Sequence, residues 1–205
     1  MKMKFNSKTF NLALCAALIC SIFLSLAQFD AACEDLRQNV LRLHIIANSD
    51  SETDQSLKLK VRDSILNSSG ELFEGTDNIE DAIIEAQNNL EALENIAKSV
   101  VLENGFSYNV KARVGKSYFE TRHYDGFSLP AGEYDSLIIT IGEGKGKNWW
   151  CVIFPEICLP AAMDKGQLSD VVSDQTADIA EHPQKYVMKF KIVEIYEDLK
   201  KIVKK

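Results

Sequence analysis

The sequence predicts an α+β fold, in which an antiparallel sheet of about four to five strands carries two helices on one face. Three observations support this prediction. Short apolar, β-branched runs alternate with longer segments whose apolar residues recur every three or four positions. Helix-capping residues and glycines separate these segments. The order is β-α-α-β-β-β-β, which is typical of an antiparallel sheet with its helices on one side, and a C-terminal amphipathic helix follows a polar linker.

Two helices are predicted after a first buried strand at 40–46. Ser51 with Asp54 three residues later resembles a capping box, so the first helix should begin there and continue to about residue 66. The second helix is predicted over 77–101 from its apolar spacing of three and four. Asn104-Gly105 supplies the left-handed stop that commonly ends a helix.

The remaining segments show the period of two that is typical of strands. Residues 106–114 alternate between apolar and polar side chains, which indicates a half-buried strand. Gly115-Lys116 is interpreted as a turn into a further strand at 118–124. Two more apolar strands are predicted at 137–141 and 149–154.

Three glycines lie within five residues between the last two predicted strands. A phosphate-binding loop would need Ser or Thr after Gly146-Lys147, where this chain has Asn148, and a glycine at the position of Ile141. The dinucleotide fingerprint also fails, because Lys147 occupies the place of its third glycine and a β-prone segment follows. We therefore expect the glycines to turn a β-hairpin.

The N-terminus has the features of an export signal. Three lysines precede or begin an apolar run from Leu12 to Leu26, and Ser25-Leu26-Ala27 fits the small-x-small cleavage pattern. The apolar run is short for a membrane span, which needs about 20 residues. A cleaved signal is favoured over an uncleaved anchor, and either would place the rest of the chain outside the cytoplasm.

The chain is expected to divide into five parts. These are a signal peptide or anchor (1–27), a linker (28–38), the main domain (39–160), a flexible acidic linker (161–185) and the amphipathic helix (186–205). That helix could dock on the core or meet a partner or a membrane surface, and docking on the core is the default.

The chain is acidic, with a formal net charge of −7. Cleavage after Ala27 would remove three lysines and no acid, so the net charge would become −10. Such a charge argues against binding to nucleic acid and against adsorption to anionic lipid.

No motif for catalysis, metal or cofactor binding emerges from the sequence. The turn at 48–54 is rich in oxygen ligands, but it lacks the glycine and glutamate that an EF-hand loop requires. The three histidines have no cluster spacing, and no His-Glu-x-x-His occurs. Cys151 and Cys158 are either a disulfide, which export would permit, or two buried thiols. No cofactor and no small-molecule substrate are expected.

The adjacent residues Trp149 and Trp150 should point to opposite faces of their strand. If one ring fills the core, the other does not. That second ring is either covered by another element or is available beside Lys145 and Lys147 as an anchor for a partner.

Three segments resemble the stage II sporulation protein R family of endospore-forming bacteria. They are RLHIIANSDSETDQSLKLKVRD (42–63), LPAGEYDSLIITIGEGKGKNWWCVIFPEICL (129–159) and FKIVEIYEDL (190–199). The resemblance implies a signalling protein and not an enzyme. It implies export from the forespore into the space between the two sporulating cells. There the protein would activate a membrane-embedded aspartic protease that processes the mother-cell sigma factor E precursor.

The polar residues of the two longest segments are the candidates for binding the protease. They are His44, Asn48, Ser49, Asp50, Lys60, Arg62, Asp63, Glu143, Lys145, Lys147, Asn148, Trp149 and Trp150. Helix capping, turning of the chain and surface charge could equally explain them. Two other functions stay open: an exported cell-wall hydrolase that uses Asp50, Glu133 or Glu143, and a structural envelope protein.

Overall fold

The structure of the protein is a computed structural model that describes residues 7–124, 126–155 and 168–203. The helices in these ranges are α1 (Ser7–Asn39), α2 (Glu52–Leu72), α3 (Ile79–Asn88), α4 (Leu90–Glu103), α5 (Asp174–Glu181) and α6 (Val187–Val203), with short 3-10 turns at Leu168–Asp170 and Pro183–Lys185. The strands are β1 (Leu41–Ile46), β2 (Val110–Phe119), β3 (Arg122–His123), β4 (Ser128–Leu129), β5 (Gly132–Ile141) and β6 (Asn148–Phe154).

Four strands form a mixed central sheet in the order β2-β5-β1-β6, and β3 pairs with β4 separately. β1 runs parallel to β5 and antiparallel to β6, while β2 runs antiparallel to β5. The α+β class is confirmed, but the expectation of a purely antiparallel sheet is wrong. A parallel pair needs a long connection, and three helices and β2 supply it between β1 and β5.

One face of the sheet packs against α2, α3 and α4. Leu41, Leu43 and Ile45 are fully buried on this face of β1. They join apolar residues of the three helices and of β5 and β6 in one core. Because neighbouring strand residues point to opposite faces, Arg42 and His44 lie on the other side of the sheet.

The helix boundaries follow the predicted capping signals, with one additional break. The Oγ of Ser51 accepts a hydrogen bond from the Asp54 N–H at 3.2 Å and caps α2, as predicted. Gly105, with φ of +81°, follows the end of α4, also as predicted. The second predicted helix is in fact two, α3 and α4. Asn89 separates them, because its Nδ2 donates to the Glu85 carbonyl at 2.9 Å and ends α3.

The predicted turn at Gly115-Lys116 is wrong. β2 continues through both residues and pairs with β5 from Val110 to Phe119. Gly115 has no left-handed backbone angle, and a Cβ there would meet only Nη1 of Arg113 at 2.7 Å, the end of a flexible side chain that can move aside. The strand predicted at 118–124 is therefore divided between the end of β2 and the short β3.

Residues 28–38 are helical and packed, so the expected linker is wrong here. They form the last turns of α1, where Phe29, Cys33 and Leu36 are buried. This spacing of four and three is the apolar stripe of an amphipathic helix. Leu36 packs with α5 and with Val152 of β6 on the second face of the sheet, while Phe29 and Cys33 pack against α6.

The second expected linker is also partly structured. Within 161–185, α5 buries Ala177, Ile179 and Ala180, while residues 161–167 lie outside the described residues. The predicted C-terminal helix is present as α6. Its Phe190 and Val193 are buried against α1 and α5, so one side of α6 docks on the core.

The N-terminal part of α1 is long and apolar enough to cross a membrane. Its most apolar stretch is entirely exposed. A signal sequence has the same length and composition, so this helix fits either a signal peptide or an anchor.

Candidate functional site

Residues 142–147 connect β5 to β6 across the carboxyl end of β1. β1 lies between these strands in the sheet, so the predicted β-hairpin is wrong although both strands are present. We call this segment the crossover connection. It passes over the turn 47–50, which brings the two sequence segments singled out above to one edge of the sheet.

Main-chain hydrogen bonds fix the crossover connection to the turn after β1. The Gly146 N–H donates to the Ala47 carbonyl at 2.9 Å. The Lys145 N–H donates to the Asn48 carbonyl at 3.2 Å. The connection therefore behaves as an irregular extension of the sheet edge.

Two side chains of the turn add further hydrogen bonds to the connection. The Oδ1 of Asn48 accepts from the Glu143 N–H at 3.0 Å. The Oδ1 of Asp50 accepts from the Lys147 N–H at 2.7 Å. Asn48 and Asp50 thus hold the crossover connection in place, in addition to any role toward a partner.

The glycines permit this close approach. Gly142 has φ of +60°, and a Cβ there would overlap Oδ1 of Asn48. A Cβ on Gly146 would overlap the Ser49 carbonyl. The N–H groups of Gly142, Gly144 and Gly146 all donate to main-chain carbonyls, so they are not arranged to cradle a phosphate.

Asp54, in the first turn of α2, accepts hydrogen bonds from two side chains of the turn 47–50. Its buried Oδ2 accepts from Oγ of Ser49 at 2.5 Å and from Nδ2 of Asn48 at 2.9 Å. Burial by itself raises the pKa of Asp54, but these hydrogen bonds outweigh it and hold the pKa below its usual value. The carboxylate therefore stays ionised and keeps both donors in place.

Lys58 is a second buried charge that sequence reasoning did not select. Its Nζ donates to the Lys147 carbonyl at 3.0 Å and to Oε1 of Gln55 at 2.6 Å. Burial lowers the pKa of Lys58. The sequence did contain a signal for these two residues. Asp54 and Lys58 are four positions apart, which places them on the same face of α2, beside its apolar stripe.

The two tryptophans point to opposite faces, as predicted. Trp149 lies on the helical face, with the guanidinium of Arg62 4.4 Å from its ring centroid. Trp150 lies on the other face, stacked on His44 at 4.0 Å and edge-on to Phe119 at 4.6 Å. Both rings are half-buried by these neighbours.

The crossover connection assembles the exposed members of the predicted set into one patch, which we call the crossover surface. It consists of Asp50, Glu143, Lys145, Lys147 and Asn148. Three of the other predicted residues, Lys60, Arg62 and Asp63, lie on α2. Nζ of Lys60 contacts Oδ1 of Asn104 at the end of α4, and Asp63 pairs with Arg62 at 2.6 Å.

Comparison with known proteins identifies the family. Residues 37–164 match the family Stage II sporulation protein R. The chain belongs to this family. It is 37% identical over 118 residues to Stage II sporulation protein R of Bacillus subtilis strain 168. The match covers 58% of this chain and 53% of that relative, so the chain matches about half of the relative's length. No solved structure matches the chain.

The part matched to the Stage II sporulation protein R family contains the sheet, its helices and the whole crossover surface. It begins at Arg37, within the packed end of α1. The exposed part of α1 and the whole of α6 lie outside it.

The carboxylates considered for hydrolysis do not converge. Glu133 is the second residue of β5, while Asp50 and Glu143 lie beyond the other end of this strand. Glu143 pairs with Lys145 at 2.7 Å, with both side chains exposed. Hydrolysis of a glycoside would need two carboxylates facing each other across the substrate.

The described residues contain no cluster of three or more His, Cys, Asp or Glu side chains suited to a metal. Cys151 is buried in β6. Cys158 lies outside the described residues, so the disulfide between them stays a prediction.

Proposed function

We propose that this protein is an exported sporulation signal that activates the membrane-embedded aspartic protease which processes the sigma factor E precursor. The observation that carries the proposal is the family match over residues 37–164. The N-terminal apolar helix is consistent with export, as either a signal peptide or an anchor. The chemistry of precursor cleavage would then belong to the partner.

The crossover surface is the part we assign to the contact with the protease. It presents two acidic and two basic side chains on a backbone that is fixed by hydrogen bonds at both sides. A rigid surface loses little conformational entropy on binding. Mixed charges favour one orientation of a partner and exclude others, which suits a specific signal.

Co-expression tests the function. The full chain, the protease and the sigma factor E precursor would be produced together in a host that lacks all three, and precursor cleavage would be followed by immunoblot. We expect cleavage only when this chain and an active protease are both present. Cleavage that is independent of this chain, or that persists with an inactivated protease, would contradict the proposal.

Lys145→Glu tests the surface. Lys145 is exposed and forms an ion pair with Glu143, which is exposed as well, so the reversal should leave the fold intact. We expect precursor cleavage to fall about tenfold or more, in the range for a side chain central to an interface. Lys98→Glu, on the exposed side of α4, is the matched control and should cleave normally. Equal activity of both variants would remove the crossover surface from the proposal.

A further inference from the structure

α6 carries an exposed apolar stripe on the side away from the core. Phe190 and Val193 face the core and are at most 5% exposed. The opposite side has five apolar residues that are 44–76% exposed: Met188, Ile192, Ile195, Leu199 and Ile202. Their spacing of three and four places them on one line along the helix. The exposed apolar residues of this stripe are contiguous, whereas on an ordinary protein surface they are scattered singly.

The stripe is continuous with the membrane-compatible part of α1. Phe23 and Leu26 of α1 line one apolar groove with Ile192 and Tyr196 of α6. Nζ of Lys189 also donates to Oγ of Ser25 at 2.9 Å. A cut after Ala27 would remove Phe23 and Leu26 from this groove and leave Ile192 and Tyr196 more exposed.

Lysines border the stripe on both sides. At about 100° per residue, Lys189 and Lys200 lie on one side of it. On the other side Lys191 lies beside Asp198 and pairs with Glu194 at 2.6 Å, so that border is of mixed charge. Residues 187–205 contain six lysines and three acidic residues, so this segment is basic although the chain has a net charge of −7. The net charge of the chain, which argues against adsorption to anionic lipid, does not describe its C-terminal end.

We propose that α6 binds the surface of an anionic phospholipid bilayer, with its apolar stripe at the level of the acyl chains and its lysines at the phosphates. An apolar face bordered by lysines is the pattern of helices that lie in the membrane interface. Tyr196 lies beside the stripe, and tyrosine favours the same depth. The proposal does not depend on the proposed function.

The lipid contact belongs to the form without the N-terminal segment. α6 lies alongside residues 25–33 of α1, since Lys189 contacts Ser25 and Phe190 packs on Phe29 with ring centroids 5.1 Å apart. An upright, spanning α1 would hold α6 upright as well. After cleavage near Ala27, the domain is free to lay the stripe on the membrane, and Lys189 loses its Ser25 partner.

The experiment uses the full chain with a protease site inserted after Ala27. No described residue before Phe29 is buried, so the cut leaves the core intact. The cut domain would be separated from its N-terminal fragment and mixed with vesicles of phosphatidylcholine, with or without phosphatidylglycerol. We expect it to float with the anionic vesicles and to remain in solution with the neutral ones.

Matched variants assign the binding to α6. Leu199→Glu should weaken vesicle binding at least about tenfold, because it removes apolar area and adds a negative charge. Leu102→Glu is the control, since Leu102 on α4 is 57% exposed and Leu199 is 58% exposed. Replacing Lys189 and Lys200 with Gln should weaken binding about fivefold per lysine.

Two results would overturn the proposal. One is vesicle binding that is the same in both leucine variants and the wild type, or the same with neutral lipid. The other is a domain that ignores vesicles but forms a dimer that Leu199→Glu dissociates, which would assign the stripe to a second copy of the chain. Circular dichroism and tryptophan fluorescence would verify that each variant is folded.

Discussion

Leu43 and His44 are neighbours in β1, yet they point to two faces of the sheet that are packed in different ways. Leu43 lies among aliphatic residues of β5 and three helices. His44 lies among aromatic rings and next to Arg42, whose side chain is fully buried. The first face follows from local apolar patterns. The second depends on charged and aromatic side chains brought together from distant parts of the chain.

Replacing Leu43 tests the aliphatic face. Leu43→Ala should lower the free energy of unfolding by about 2–5 kcal/mol, because it leaves a cavity in a close-packed core. Urea unfolding of residues 28–205 measures the change. Leu102→Ala, at an exposed position of α4, should stay within about 0.5 kcal/mol of wild type. A loss below about 1 kcal/mol for Leu43→Ala would show that the core is not packed there as described.

Replacing Arg42 tests the opposite face. Nε of Arg42 donates to the Cys151 carbonyl at 2.9 Å, and its Cζ lies 4.0 Å from the Phe119 ring centroid. Arg42→Ala should lower the free energy of unfolding by about 3 kcal/mol, through lost packing and a cavity. Arg42→Met keeps most of the volume and removes a buried charge. We expect it to lie within about 1.5 kcal/mol of wild type by urea unfolding.

The two Arg42 variants together separate packing from charge. Nη1 of Arg42 has no hydrogen-bond partner among the described residues, which makes the charged group expensive to bury. If Arg42→Met were as destabilising as Arg42→Ala, the hydrogen bonds and the charge would stabilise this face. If Arg42→Met lowered the free energy of unfolding much less than Arg42→Ala, the aromatic rings would require only the apolar part of the side chain.

Local signals predicted the helices well and the sheet less well. Ser51 and Gly105 mark helix ends through their own side chain and backbone, so the sequence reveals them directly. Strand partners are chosen over long distances. The parallel pairing of β1 with β5, and the position of β1 between β5 and β6, leave no local trace. The predicted hairpin failed for this reason, although both of its strands were predicted.

The candidate site shows the same division. The two polar segments were selected by resemblance, and the structure brings Asp50 and Lys147 within hydrogen-bond distance. Their contact was not predictable, because it depends on β1 separating the strands. Residues 28–38 were predicted as a linker but form packed helix, and this error has another cause. Phe29, Cys33 and Leu36 carry a readable helical spacing, which the adjoining signal-like segment obscured.

Asp54 holds the turn 47–50 that the crossover connection is bonded to, and its removal should have an intermediate effect. Asp54→Asn replaces a charged acceptor of the Ser49 and Asn48 hydrogen bonds by a neutral one. We expect the free energy of unfolding to fall by about 2 kcal/mol at neutral pH. Its pKa is lowered in the folded state, so this stabilisation is present above the unfolded pKa of about 4 and is lost as pH falls through the folded pKa.

The difference between wild type and Asp54→Asn should therefore shrink in acid. Urea unfolding at neutral pH and at a pH below about 4 measures it. Ser173→Ala is a useful comparison, because it removes the side-chain cap of α5, which accepts from the Thr176 N–H and does not involve Asp54. A difference that is constant with pH would show that Asp54 acts only through its shape.

The smallest expected effect concerns His44, and it appears only as a dependence on pH. Burial lowers the pKa of His44 in the folded protein, so the unfolded chain binds its proton more readily. Stability should be complete above the unfolded pKa of about 6.5 and should fall as pH decreases below it. His44→Gln should flatten this part of the urea-unfolding profile, whereas Leu102→Ala, at an exposed position without a titrating group, should leave it unchanged. If His44→Gln kept the wild-type slope, the stack of His44 on Trp150 would be equally stable in the charged form, and the two faces of the sheet would differ less than their residues indicate.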